Sequence, residues 1–165
     1  MTHRPGEERR FVREVVTSAR EQARLLGAPR VEAEHLLLAL AAAPRWPSAS
    51  LLAHEGLDRA GVLAALDAEF ERSLGAVGIL LAGFQLPEQR LPFTGELRLG
   101  QSAKLAFRRA LLLRAHRRDP RFDSLVLLCG ILRAAEGLVA RALAAAGVDR
   151  IAVLVRADAA LAGAA

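Results

Sequence analysis

The chain has 165 residues, 53% of them hydrophobic and only 4% aromatic, enough for one domain or two small ones and too apolar for disorder. Its net charge is +5, from 23 basic against 18 acidic residues, and Cys129 is the single cysteine, so an intrachain disulfide framework is excluded. No stretch approaches the ~18 apolar residues of a membrane helix, and the charged start MTHRPGEERR lacks the apolar run of a signal peptide, so a cytoplasmic protein with no membrane segment is expected.

Ala and Leu supply most of the core material, and both are strong helix formers, so an all-α fold is expected. From about Glu8 to Leu26, Val12, Val15, Val16, Ala19, Ala23 and Leu26 recur on one stripe, which predicts a first helix closed by Gly27. A second helix is predicted from about Glu32 to Ala43, stopping at Pro44. Its apolar residues continue nearly all round, so it belongs at the centre. Trp46 follows in a Pro-bounded turn, where it either covers the end of the core or anchors a partner. A short third helix covers Ser48 to His54, and Asp58 caps a fourth that runs to about Arg72. Further helices are predicted at about 100–117, 122–134, 136–146 and 149–161, the last capped by Asp149. Cys129 lies within an apolar run and is expected to be a buried, inert thiol.

The second set of helices repeats the first. A shift of 91 positions places Pro29-Arg30 on Pro120-Arg121 and Leu36-Leu37 on Leu127-Leu128. The same shift places Gly56-Leu57-Asp58-Arg59 on Gly147-Val148-Asp149-Arg150 without a gap. The expected architecture is therefore a single domain over 1–165, all-α, with two tandem four-helix repeats and pseudo-two-fold symmetry. Repeat one spans about 8–72 and repeat two about 100–161. The Gly- and Pro-bearing but apolar connector at about 73–99 is expected to be laid over the seam.

Glu34 and His35 stand together at the head of the second helix, in VEAEHLLLAL. Neighbours on a helix point about 100° apart, so they do not face one reacting atom, and no Ser or Cys is placed to complete a nucleophile set. His3, His35, His54 and His116 form no i, i+3 or i+4 pair for a metal, so no cofactor and no enzymatic activity are expected. Glu32 or Glu34 suits the free amides of a helix start, and His35 is expected to donate to a carbonyl there. The basic residues crowd into 98–121, where Arg108, Arg109, Arg117 and Arg118 form a candidate anion patch. No aromatic residues interleave them as a single-strand binder requires, so a solvated face is the plainer reading and nucleic acid is not the expected partner.

The pattern A-x-x-x-A-x-x-L-G (Ala19, Ala23, Leu26, Gly27), then V-E-A-E-H-L-L-L-A-L, then L-L-x-x-x-G-L-D resembles the N-terminal repeat domain of Clp/Hsp100 unfoldases, the ClpC type in particular. L-P-F-T at 91–94 resembles what precedes that family's second repeat. The likeness implies a non-enzymatic module that docks adaptors and substrate proteins and recognises phosphorylated arginine. In that family the Glu of the Glu-His pair meets the guanidinium, a role that falls here on Glu34. The implied ligand set is Val31, Glu32, Glu34 and His35, with Phe93 and Thr94 from the L-P-F-T stretch. A helix start suits a phosphate and a carboxylate suits a guanidinium, and phosphoarginine carries both groups. The implied partners are Clp unfoldase or protease components, adaptors, substrate proteins or peptide-like ligands, cyclic peptides included. No Walker sequence G-x-x-x-x-G-K-[ST] occurs, so a free-standing N-domain without the ATPase modules is expected. Two departures stand out. Leu125 and Val126 occupy the second-repeat positions of Glu34 and His35, and an ungapped alignment puts Leu99, not Phe93, at the family's ligand-contacting aromatic. The alternatives carried beside this reading are a basic, nucleic-acid-associated helical protein and a small-molecule-binding regulator.

Overall fold

A computed structural model describes residues 5–78, 91–117 and 121–163. Among the described residues eight helices run in the order α1 (Pro5–Leu25), α2 (Ala33–Ala41), α3 (Pro47–His54), α4 (Arg59–Ala76), α5 (Gln101–Ala115), α6 (Ser124–Leu132), α7 (Leu138–Ala145) and α8 (Arg150–Gly163). The fold is all-α. Beside the helices the described residues hold a pair of two-residue strands, β1 (Arg30–Val31) and β2 (Arg98–Leu99), which run parallel with Arg30 opposite Arg98 and Val31 opposite Leu99. Two residues are too short to show a period, so the sequence pattern gave no sign of this pair.

The local signals act where their chemistry requires. The described part of α1 begins at Pro5, ahead of the apolar stripe. Pro47 opens α3, since a helix's first residue needs no N–H. Asp58 caps α4 by accepting from the Gly61 amide at 2.8 Å, and Asp149 caps α8 through the amides of Ile151 and Ala152. α4 continues one turn past Arg72 to Ala76, so the first residues of the expected connector are helical. Residues 79–90 of that connector lie outside the described residues. The part from Leu91 onward packs on the body: the Phe93 amide donates to the Arg24 carbonyl at 3.1 Å, across the end of α1, and Leu97 is buried.

The two halves match in detail. Gly56 and Gly147 take φ values of 69° and 71°, and the residues that follow them, Leu57 and Val148, bond back to the carbonyls of Leu52 and Leu143 at 2.8 and 2.9 Å. α2 and α6 sit at the centre and touch each other. Every residue of α6 is buried, and so is every residue of α2 except Glu34. α1 covers α2, α5 covers α6, and α4 of the first half lies along α7 of the second. Cys129 is fully buried in α6, and burial pushes its thiol up to about 12, so it is an inert core side chain. Among the described residues no helix is long and apolar enough to cross a membrane, and no cluster of His, Cys, Asp or Glu could hold a metal.

α5 and α6 approach each other closely at Gly130. A Cβ on Gly130 would stand 2.4 Å from the Ala106 carbonyl oxygen and 2.8 Å from the Ala110 Cβ. Backbone therefore approaches backbone, and only the absence of a side chain permits it. Gly130→Ala gains up to about 1 kcal/mol of helix propensity. It loses about 1–3 kcal/mol to overpacking against atoms that cannot swing away. The expected outcome is a net loss of stability, read as a lower urea midpoint at unchanged m-value.

Candidate ligand-binding cleft

The site is built where α2 and α5 begin side by side. Each helix start leaves amides without intrahelical partners. Glu32, extended at φ −107° and ψ −179°, is the residue before α2, and its carboxylate reaches across to the other helix. It accepts from the Ser102 amide at 2.9 Å and the Ser102 hydroxyl at 2.5 Å. That hydroxyl in turn accepts from the Ala33 amide at 2.8 Å. Each helix start is thus capped by a side chain that belongs to the other. Gly100 makes room for the exchange, since a Cβ there would lie 1.7 Å from the Glu32 Oε1. The Gly100 amide meanwhile donates to the Val31 carbonyl at 2.8 Å, extending the β1–β2 pairing up to the caps.

His35 plays a different part from the one its position suggests. Its Nδ1 accepts from the Glu32 amide at 2.9 Å and donates to no carbonyl there. The helix start is rich in donors and short of acceptors, so a ring nitrogen with a free lone pair is what the geometry needs. The neutral ring then carries its proton on Nε2. Burial drives the His35 pKa down to about 4, with the nearby Glu32 acting the other way, and the ring is neutral at physiological pH.

Glu34 follows on the neighbouring face, its carboxylate 4.0 Å from His35 Nδ1 and its side chain 14% exposed. Burial raises its pKa, its own amide opposes that, and the Glu32 charge raises it further. Glu34 stands on the wall of a cleft of about 520 Å³ enclosed by the starts of α2 and α5 and by the α6–α7 turn. Leu105, Ile131 and Val139 supply apolar surface; Arg109 and Glu136 supply charge.

The other expected site residues are dispersed. Val31 is fully buried in β1 and serves the core. Phe93 is half-buried and folds back over Gly95, and Thr94 is exposed; neither lines the Glu34 cleft. Leu99 does not line it either, and sits instead beside Phe107, Arg108 and Leu111 in a shallow apolar groove. Arg108 is exposed on that groove, Arg109 lines the Glu34 cleft, and Arg117 donates to the Leu161 carbonyl at 2.8 Å. These three arginines thus have different surroundings; Arg118 lies outside the described residues.

In the second half the equivalent of the Glu34 cleft is plugged. Leu125 and Val126 are buried where Glu34 and His35 stand in the first. Trp46 occupies the position matching Gly137, 8% exposed and packed edge-on to Phe11 at 5.2 Å. It covers the end of the core, and a smaller cleft of about 240 Å³ is left beside Asp123 and Ser124. Asp123, one methylene shorter than Glu32, caps its own helix through the Leu125 and Val126 amides.

A feature absent from the sequence-based site is the groove between α1 and α5, about 530 Å³, floored by Val12, Val16, Phe107 and Phe122 and rimmed by Arg9, Arg13 and Arg20. The spacing of those arginines on one face of α1 was visible; that α5 forms the opposite wall was not.

Solved structures share this architecture. The N-terminal domain of the caseinolytic-protease-associated chaperone ClpD from Arabidopsis thaliana superposes with a TM-score of 0.61 at 18% identity, covering 92% of this chain and 94% of that one. A structure from a malarial protein secretion system gives 0.58 at 15% identity, with 90% of each chain covered. No protein-family model and no curated protein matches the sequence. The chain has the fold of a Clp N-terminal domain.

The His35 environment sets a pH dependence. Its folded pKa of about 4 lies below the ordinary 6.5, so between those values the unfolded chain binds a proton that the fold refuses. Stability from this group is complete above pH 6.5 and drains as pH falls to about 4, by about 3 kcal/mol. Glu34 acts oppositely: its raised pKa makes stability fall as pH rises past the ordinary 4.5. His35→Gln keeps an acceptor for the Glu32 amide and removes the titration. Urea unfolding from pH 4 to 7 is expected to show the acid-side loss in the native chain and a flatter profile in the variant.

Proposed function

We propose that the chain is a non-catalytic protein- and peptide-binding module, one domain of two four-helix repeats (about 8–72 and 100–161) joined by a connector (about 73–99). It acts in the cytoplasm on substrates, adaptors or other components of a Clp system. The observation that carries this reading is Glu34. A largely buried carboxylate on the wall of an open cleft, beside a neutral imidazole and a second carboxylate, forms no ion pair with an Arg or Lys among the described residues. A guanidinium brought by a ligand supplies that cation with matched, forked hydrogen bonds. Arginine and phosphoarginine both bring one. The Clp N-domain fold supports this reading, because a small helical body with an open cleft suits capture. The arginine-rimmed groove between α1 and α5 is a second contact surface, suited to an apolar segment of a partner that also bears acidic residues.

Chemistry on a bound substrate is not part of the proposal. His35 Nδ1 is already engaged with the Glu32 amide, and a ring with a pKa near 4 is a poor base at neutral pH.

Titration calorimetry with a short Leu-flanked peptide bearing one guanidinium side chain, plain or phosphorylated, tests the reading. At least one form is expected to bind with a Kd below about 1 mM, roughly 4 kcal/mol of binding free energy. Glu34→Ala is expected to weaken that binding tenfold or more. Equal binding by the variant, or no heat with either peptide, sinks the proposal and leaves the fold untouched.

A further inference from the structure

We propose that the groove between α1 and α5 docks an amphipathic helix of a partner protein, its apolar stripe flanked by Asp or Glu residues spaced four and then seven positions apart. This rests on the arginine-rimmed contact surface of the proposed function and narrows it to one secondary structure and one charge pattern. The groove and the Glu34 cleft share no lining residue, so neither reading depends on the other.

The cations of the groove are available to a ligand. Arg9, Arg13 and Arg20 are exposed on its rim, and none of them forms an ion pair among the described residues. Glu8 is the acidic residue lining the groove, and its carboxylate is engaged: Arg114 stands 3.2 Å away and the Phe122 amide donates to it at 2.8 Å. Across the groove, Lys104 and Arg108 of α5 are exposed and likewise unpaired among the described residues. They border the shallow groove beyond, which shares Phe107 and Leu111 with this one. Two rails of positive charge therefore flank an apolar floor of Val12, Val16, Phe107, Leu111 and Phe122, in which Leu111 is 51% exposed. The floor takes an apolar face, and the rails select acidic residues along its edges. Neither floor aromatic is open for a base to stack on, since Phe107 is half-buried and Phe122 buried, so the surface suits a protein and not a nucleic acid.

The spacing selects a helix. At a helical rise, Arg13 and Arg20 lie about 6 and 16 Å along α1 from Arg9, and the three fall within about 40° of one another around its axis. A partner helix laid alongside rises at the same rate, so acids four and eleven positions after the first meet all three arginines. An extended chain rises about 3.3 Å per residue and alternates its faces. It spans the same distances with acids two and five positions after the first, and the last of these points away from the others. A helix also pairs its own backbone groups, which an apolar floor cannot do for an extended chain. On this chain's own surface the nearest approach to such a ligand is α4, where Asp67, Phe70 and Glu71 are exposed. Arg72 stands beside them, and positions 60 and 78, where a third acid would fall in either direction, hold Ala60 and Gly78, so a second copy fits less well than an acidic partner.

The test uses the full chain and fluorescein-labelled peptides of about four helical turns, stapled as helices, in anisotropy titrations at low salt. The peptide with Leu along its stripe and Glu at the three flanking positions is expected to bind with a Kd below about 100 μM. An exposed ion pair shifts binding only a few-fold, so it takes all three to make the Gln counterpart about tenfold weaker. Arg13→Glu is expected to weaken the Glu peptide about tenfold, and a peptide with Lys at the facing position is expected to restore binding to that variant, a reversal that misfolding cannot mimic. Equal binding of the Gln peptide overturns the charge pattern, and equal binding of an unstapled peptide with the same residues in scrambled order overturns the helix; the contact surface survives both. An oligothymidylate of similar length that displaces the Glu peptide at lower concentration, or a dimer in sedimentation that the peptide dissociates, overturns the assignment of the occupant. No binding by any peptide at about 1 mM overturns the inference together with the contact surface, and leaves the Glu34 reading to its own titration.

Discussion

The exchange of caps between Glu32 and Ser102 fixes the relation between the halves of the molecule. Two helices that begin side by side each present unpaired amides, and leaving those buried without partners would be costly. One carboxylate and one hydroxyl, 70 positions apart in the chain, satisfy both ends at once. Caps of this kind are each worth about 0.5–2 kcal/mol. Their greater effect is geometric. They hold the start of α2 against the start of α5, with the β1–β2 pairing leading up to them, and this fixes where the next side chain, Glu34, emerges. The site is a consequence of how two helix ends are closed.

The same arrangement explains why the halves have diverged. Asp123 occupies the position of Glu32 but cannot reach as far, and it caps its own helix. The crossing there comes from α1, whose Glu8 carboxylate accepts from the Phe122 amide at 2.8 Å, and Trp46 packs on Phe11. Gly137 stands at the matching position in the other half and leaves that cleft open. A tryptophan in one copy and a glycine in the other, with a leucine in place of a glutamate, separate a plugged end of the core from a cleft that can admit a side chain.

Elsewhere the molecule is held by contacts that are close in space and remote in sequence. Gly130 admits α5 to within backbone distance of α6, whereas the matching residue in the first half is Ala39, and the helix facing it carries Val15 where α5 has Ala106. Glu69, buried on α4, accepts from Arg141 Nε of α7 at 2.6 Å and from the Ser73 hydroxyl at 2.9 Å, and the guanidinium holds its pKa below the ordinary carboxylate value. This pair ties the fourth helix of one half to the third helix of the other, an asymmetric link that the repeat alone does not imply.

The sequence by itself determined the helices and the central place of α2 and α6, because apolar spacing, Asp caps and Gly or Pro stops act within a few residues of one another. It also marked Glu34 and His35 as unusual, since two ionisable groups at the head of an apolar run stand out without any coordinates. The tertiary structure decided what they do. Whether His35 gives or accepts a hydrogen bond depends on an amide whose partners are set by the fold. Whether Glu34 faces solvent, core or cleft depends on α5, on the α6–α7 turn and on a glycine 103 positions away at Gly137. Arg108, Arg109 and Arg117, neighbours of one patch in one dimension, have separate surroundings in three. A periodic pattern reports only which face of a helix is apolar; the identity of what lies against that face is a matter of assembly, and the binding properties of this chain reside there.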